Sequence, residues 1–252
     1  MDALIIAAGF GTRLRPVSDC KPLTPILGIP LLELGIRQSV AAGVRRVVVV
    51  TGYQADLIEA ELPRLSRSVN IPVVAQRVEN WSQPNGHSVI AGAAQIDGDY
   101  LLMMADHIFS STILSNLAQQ GRPDRGVTLA IDRRITGPLI DPDDATWVET
   151  GDQGCIRSIG KSISAYDAVD CGAFLATPEL AAAIEAAIAA GCPGSLSDGM
   201  QRLADVGRAA TMDVGDAWWI DVDDARAYDL AEIGVVSWLG DIYENRLAEA
   251  AK

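Results

Sequence analysis

The chain has 252 residues, 49% of them hydrophobic, which is enough to bury a sizeable core as a single domain. Twenty basic against 33 acidic side chains leave a formal charge of -13, which opposes a nucleic-acid backbone or an anionic membrane surface, because both are bound through clustered Lys and Arg. Cys20, Cys155, Cys171 and Cys192 are too scattered, and His87 and His107 too far from them, for a zinc site, so reduced thiols are expected; with no leader-like start and no apolar run of membrane-spanning length, the expected location is cytoplasmic, without stable membrane insertion.

Short β-rich runs alternate with helical patterns through the first half. Strands are predicted at 4–7, 47–51, 72–75, 100–105 and 127–131, and helices at 31–42, 55–65, about 87–95 and after Ser111. Val47, Val48, Val49 and Val50 form a continuous rather than alternating apolar strand, the mark of a parallel sheet covered on both faces. The predicted fold is therefore α/β, a doubly wound, mostly parallel sheet. From Gly137 the rhythm changes: Pro138 and the run Asp141, Pro142, Asp143, Asp144 are turn-rich, and short strands around Trp147, Ile156 and 169–175 predict a small antiparallel elaboration. Helices return at 178–190 and 196–206. The tail, 225–251, carries Trp238, Leu239, Ile242 and Leu247 at a spacing that makes one apolar stripe, expected to pack on the domain or on a second subunit in a homodimer. The whole divides into a core (1–135), a middle part (136–224) and a helical tail (225–252).

The most informative segment is the first strand and the turn after it: Leu4, Ile5, Ile6, Ala7, Ala8, Gly9, Phe10, Gly11, Thr12, Arg13, Leu14. Glycines here let backbone N–H groups approach a phosphate chain, and Arg13 adds a cationic fork. The turn lacks the Lys-Ser/Thr of a P-loop and the third glycine of a dinucleotide fingerprint, so alone it is equally an ordinary βα turn. Lys21, Pro22 and Leu23 follow one loop later, and the combined pattern resembles the sugar-phosphate nucleotidyltransferase superfamily, with its Rossmann-like nucleotidyltransferase fold. The resemblance implies that Ala7, Ala8, Gly9, Gly11, Thr12 and Arg13 hold a nucleoside triphosphate, that Arg13 contacts the phosphates that leave as pyrophosphate, and that Lys21 steadies charge at the α-phosphate. It also makes 1–135 the NTP-binding core and 136–224 the acceptor-binding part.

Two places supply carboxylates. The apolar strand ending at Ala105 runs into Asp106, at the sheet edge where open α/β folds bind ligands; a cap for the following helix is the plainer reading. In Trp218, Trp219, Ile220, Asp221, Val222, Asp223, period-two alternation puts Asp221 and Asp223 on one face, although Asp223 with Asp224 also suits a helix start. By the resemblance, Asp106 is catalytic and holds Mg²⁺ together with Asp221 and Asp223. Mg²⁺ suits so sparse a set, because it keeps water and phosphate oxygens among its ligands. His107 is expected to pack beside Asp106 rather than bind metal, and Trp218 and Trp219 to be part core, part cleft wall.

In the loop Glu79, Asn80, Trp81, Ser82, Gln83, Pro84, Asn85, Gly86, His87, Ser88, the resemblance assigns Asn85, Gly86 and Ser88 to the nucleobase; helix capping by Asn85 is the alternative, and Glu79 and Gln83 receive no role. Further segments, among them Asp141 to Thr146 in DPDDAT order, Ile159, Gly160, Lys161 and Asp170, Cys171, Gly172, resemble the inositol-1-phosphate cytidylyltransferases within the superfamily. That implies CTP as donor and inositol 1-phosphate as acceptor, with Lys161 gripping the acceptor phosphate and Asp170 accepting from a polyol hydroxyl. Lys161 in a solvated turn and Asp170 paired to an arginine are the alternatives. The run 141–144 reads as a solvated turn with no chemistry. Asp224, Ala225 and Arg226 stand where the inositol enzymes carry Thr-Pro, and Cys171 where they carry threonine, which leaves guanylyl or uridylyl transfer, another sugar, cyclitol or phosphocholine acceptor, or a non-catalytic nucleotide-binding regulator as competing readings.

Overall fold

The computed structural model describes residues 1–122, 124–137 and 139–250, without the side chains at 236 and 245–250. Pro138 of the predicted turn and Ala251 of the predicted tail lie outside the described residues, as does the side chain of Leu247. The strands are β1 (Asp2–Ala7), β2 (Pro25–Ile26), β3 (Ile29–Pro30), β4 (Val47–Thr51), β5 (Val73–Arg77), β6 (Tyr100–Met104), β7 (His107–Phe109), β8 (Val127–Asp132), β9 (Trp147–Thr150), β10 (Ile156–Gly160), β11 (Ala168–Ala176), β12 (Ala209–Asp213) and β13 (Trp219–Asp221). The helices are α1 (Leu31–Ala41), α2 (Ala55–Val69), α3 (Asn85–Ala93), α4 (Ser111–Gln120), α5 (Pro178–Ala189), α6 (Leu196–Asp205) and α7 (Ala225–Ala250).

The main sheet runs β10-β9-β11-β6-β1-β4-β5, with β8 on β11 and β12 on β8. β6, β1, β4 and β5 are parallel, with Ile5 opposite both Val49 and Met103. Along these strands alternate residues serve opposite faces. Ile5, Val49 and Met103 join Leu32 and Ile36 of α1, Ile58 and Leu62 of α2 and Leu114 of α4 in one core, while Leu4, Val48 and Leu102 join Val89 of α3, Ile184 of α5 and Met200 of α6 in another. Both faces are covered, so neither can tolerate a polar residue, and this is why the valine run is unbroken. The fold is the doubly wound, mostly parallel sheet read from the sequence, with the antiparallel elaboration at one side.

That side is larger than the sequence suggested. β11 runs antiparallel between β6 and β8 and bends, its register with β8 shifting between Asp170 and Phe174. Gly172 lies in the bend at φ +76°, and a Cβ there would come within 2.5 Å of the His107 ring. The strand needs glycine for its backbone and for the histidine beneath it. Other departures are modest: β5 extends to Arg77, α2 runs on to Val69, α3 starts at Asn85, earlier than predicted, and β12 was not predicted.

A third core is small and lies at the sheet edge. Leu14, Ile26, Leu31, Ile108, Ile220 and Val222 close around Ala231, Val235 and Leu239 of α7. The described part of the tail stripe thus packs on its own domain, with Trp238 stacked on Trp218 at 3.9 Å between ring centres. Among the described residues no helix is long and apolar enough to cross a membrane. All four cysteines are free thiols.

Candidate active site

β1 ends at Ala7 and the chain turns through Gly9 and Gly11. Gly11 is left-handed at φ +64°, and a Cβ on it would meet the Lys21 side chain at 2.7 Å. Glycine is required twice here, for the turn and for the close passage of Lys21. Thr12–Leu14 and Lys21–Leu23 are single 3-10 turns, the second opened by Pro22, whose missing N–H suits a helix start. Lys21 is only 9% exposed, a costly position for an ammonium unless it is paired.

Its partners are the predicted carboxylates. Lys21 Nζ lies 2.6 Å from Asp106, donates to Asp223 and stands 3.9 Å from Asp221. The two segments that bring these aspartates are joined by the short antiparallel ribbon of β7 and β13, in which Asp221 is opposite His107, and by the Val222 N–H donating to the Asp106 carbonyl at 2.9 Å. The ribbon is what turns two distant stretches of sequence into one cluster. His107 stacks on Trp219 and its Nδ1 bonds Asp106 at 2.7 Å, so it supports the carboxylate as expected. Asp224, not Asp223, starts α7, accepting from the Ala227 N–H at 2.7 Å. Asp223 is free to face Lys21 and Arg13.

The charges are unevenly met. Burial pushes the Asp106 carboxyl up, but Lys21 and His107 outweigh it and hold the group well below the usual carboxylate range. Burial pulls His107 down, yet Asp221 and Asp106 raise it to about 9. Asp221 goes the other way, lifted first by burial and further by Asp106. Its Oδ1 is buried and, among the described residues, has no hydrogen-bond partner, with Lys21 Nζ and His107 Nδ1 at 3.9 and 3.8 Å. Oxygens of Asp144, Asp221 and Asp223 converge within 4.8 Å, as do ligand atoms of Asp106, His107 and Asp221. An under-neutralised set of hard oxygen donors with one orphaned carboxylate oxygen fits a divalent cation held mainly by oxygen.

The cluster forms one end of a cavity of ≈ 380 Å³ that runs from the glycine-rich loop to the antiparallel side. Ala8, Gly9 and Arg13 line it, as do Asn85 and Ser88 from the start of α3 and Lys161 and Asp170 from the far side. Ala7, Gly11, Thr12 and Lys21 line an adjoining space with Asp106 and Asp223. Gly86 is not among the lining residues; a Cβ on it would sit 2.4 Å from the Gly194 carbonyl oxygen, so glycine here lets α3 approach the α5–α6 junction. Asn85 does not cap its own helix; its Oδ1 accepts from the Leu196 N–H at the start of α6, 2.9 Å away. Among the described residues no ion pair joins Asp170 to an arginine. Asp170 accepts from the Gly172 N–H at 2.7 Å, and burial pushes it up to about 6.

One expectation is corrected. The 141–144 turn is not an idle solvated turn: Asp141 meets Arg13 at 3.0 Å, Asp144 meets Arg13 at 2.5 Å and Lys161 also at 2.5 Å, and both aspartates line the cavity. A run of acidic residues in a Pro-containing turn looks the same in sequence whether it faces water or a distant cation. Trp81 and Gln83 line the cavity too, with Trp81 held by Phe10 and Tyr53 at ring distances of 5.9 and 5.2 Å. Gly52 makes room for that packing, since a Cβ there would meet the Trp81 Cβ at 2.6 Å.

Residues 3–187 match the family described as the MobA-like NTP transferase domain. The chain belongs to this family. Among curated relatives of the NTP transferase domain, the bifunctional IPC transferase and DIPP synthase of Rubrobacter xylanophilus is 31% identical over 174 residues, covering 69% of this chain and 38% of that protein. The UTP–glucose-1-phosphate uridylyltransferase of Haloferax volcanii is 34% identical over 127 residues, 50% of this chain and 51% of that one. The chain thus spans 38% of the length of each of two bifunctional relatives, from R. xylanophilus and Aquifex aeolicus. Among solved structures, the inositol-1-phosphate CTP transferase from T. maritima superposes with a TM-score of 0.79 at 23% identity, over 92% of this chain and 96% of that one. A UDP-glucose pyrophosphorylase complexed with UDP-glucose gives 0.77 at 16% identity, over 94% and 98%. At these identities the superpositions establish the fold.

Proposed function

We propose that the chain is a Mg²⁺-dependent cytidylyltransferase that joins CTP to inositol 1-phosphate, giving CDP-inositol and pyrophosphate. The observation that carries this reading is a cavity with the glycine-rich turn and Arg13 at one end, Lys161 and Asp170 at the other and the Asp106, Asp221, Asp223 cluster by the glycine-rich end, where Lys21 reaches the cluster from an adjoining space. The names of the bifunctional IPC transferases and of the T. maritima inositol-1-phosphate CTP transferase support the choice of substrates.

In this reading the backbone after Ala8 takes the triphosphate, Asn85 and Ser88 face the base, Arg13 holds the departing β- and γ-phosphates and Lys21 the α-phosphate. Lys161 grips the acceptor phosphate and Asp170 accepts from a ring hydroxyl. An oxygen of the acceptor phosphate attacks the α-phosphorus, the bond from that phosphorus to the oxygen bridging to the β-phosphate breaks, and pyrophosphate leaves with the electron pair. The attacking oxygen is already anionic, so no side chain need remove a proton, and the protein's contribution is alignment and charge. Mg²⁺, held by Asp106, Asp221 and Asp223, would neutralise charge on the phosphates. Pyrophosphate release with CTP, UTP, GTP, ATP and dTTP crossed against inositol 1-phosphate, phosphocholine and glucose 1-phosphate tests the assignment. Turnover with CTP and inositol 1-phosphate alone is expected, lost in Asp106→Ala; turnover only with UTP and glucose 1-phosphate would move the chain toward its uridylyltransferase relative.

A further inference from the structure

The 141–144 turn touches both ends of the cavity at once. One oxygen of Asp144 accepts from Lys161 Nζ and the other meets Arg13 Nη2, each at 2.5 Å. In the reading above, on which this inference rests, Arg13 belongs to the donor phosphates and Lys161 to the acceptor phosphate. Two cations that must hold two phosphates close together repel each other, and a carboxylate between them offsets that repulsion and fixes their separation through its two oxygens.

The turn is built to hold this position. Asp141 Oδ1 accepts from the Asp143 N–H at 3.1 Å, and its carbonyl accepts from the Ala145 N–H at 2.9 Å. The Thr146 carbonyl accepts from the Asp170 N–H at 2.9 Å, tying the turn to the strand that carries the acceptor-side carboxylate. Ile140 and Ala145 pack against the main core. Asp144 itself is one-third exposed, with its carboxylate turned to the cavity rather than outward. Such anchoring belongs to a wall of the site; a strap that leaves when substrates arrive would need fewer ties.

We propose that Asp144 is a positioning residue that sets the spacing between the donor-phosphate arginine and the acceptor-phosphate lysine. The test is equilibrium binding by calorimetry, with Mg²⁺ present, of CTP and then of inositol 1-phosphate in the presence of α,β-methylene-CTP, which blocks transfer. Asp144→Asn is expected to weaken inositol 1-phosphate by about tenfold and CTP by about threefold, the range of coupling between contacting charged groups. Asp143→Asn, which removes the same charge one residue away, is expected to change neither. Asp144→Glu, which keeps the charge and fold but shifts its reach, should fall between wild type and Asp144→Asn. Combining Asp144→Asn with Lys161→Ala should cost the acceptor little more than Lys161→Ala alone. Unchanged or tighter binding in Asp144→Asn overturns the proposal, the tighter result marking the carboxylate as a competitor of phosphate. Failure of the underlying reading looks different: the wild-type protein does not bind CTP, or Arg13→Ala binds it as well as wild type does.

Discussion

Asp132 and Asp170 sit on neighbouring strands, one residue apart in register, and their carboxyls move in opposite directions. Burial raises both. At Asp132 it is overcome by Arg134, whose side chain donates at 2.9 and 2.7 Å, and by Trp219 Nε1 at 2.9 Å, so that group is lowered. Asp170 accepts from a backbone N–H and has, among the described residues, no Arg or Lys ion pair; that bond and the nearby His107 offset burial only in part, and it stays at about 6. The lowered group contributes stability above its unfolded pKa of about 3.9, lost as pH falls through the folded value. Replacing Asp132 with Asn should therefore cost about 2–4 kcal/mol at pH 7, with the gap to wild type narrowing below about pH 4. For Asp170 the sign reverses: its contribution is fully present below the unfolded pKa and is lost as pH rises through about 6. Between pH 4 and 8, Asp170→Asn should gain about 2–3 kcal/mol relative to wild type. Urea unfolding of both variants at the two ends of that range measures this, and parallel pH dependence in the two would refute the assignment. At Gly172 an alanine would meet both a left-handed φ and the His107 ring, and Gly172→Ala should lose about 2–4 kcal/mol, seen as a drop in Tm.

Among the elements, α1 and α2 are joined through a buried carboxylate. Glu33 is fully buried, with Arg37 of its own helix and Arg64 of α2 each at 3.0 Å. Glu33→Ala removes the buried carboxylate that Arg37 and Arg64 share, with Arg64 keeping Glu61 at 2.8 Å, and should cost about 2–3 kcal/mol, read by denaturant titration; a loss under about 1 kcal/mol would mean water replaces the carboxylate freely. The βαβ rhythm that builds these elements was legible because apolar runs such as Val47 to Val50 and helical spacing along α2 and α6 are local properties. β12 was not, since Ala209, Ala210, Thr211, Met212 and Asp213 carry little of the strand alternation and depend on β8 for their partner. In the site, Arg13, Lys21, Asp106, Asp221 and Asp223 were legible as a set, and the structure brings them together. The reach of Asp144 across to Arg13 and Lys161, the bond from the Leu196 N–H to Asn85 and the fit of Gly172 over His107 were not, because each is a contact between segments far apart in the chain with no periodicity to announce it.

At the scale of the whole molecule, a sheet covered on both faces leaves its carboxyl edge as the place where side chains from several strands can meet in a cleft. The elaboration of β9, β10 and β11 walls that cleft, and α7 closes the small core beneath the β7–β13 ribbon. Because the carboxylates outnumber the cations that face them, Mg²⁺ should raise the Tm of the wild-type protein through linkage, and the rise should disappear in Asp221→Ala; an equal rise in both would place the ion elsewhere. In the proposed function the cleft brings a nucleoside triphosphate and a phosphorylated polyol together for transfer. Phosphorus NMR of a mixture of the protein, Mg²⁺, CTP and inositol 1-phosphate tests this. The reading requires growth of the two diphosphate signals of CDP-inositol together with pyrophosphate, and their loss in Lys21→Ala. CTP left intact, or cleaved without a new diphosphate ester, would contradict it.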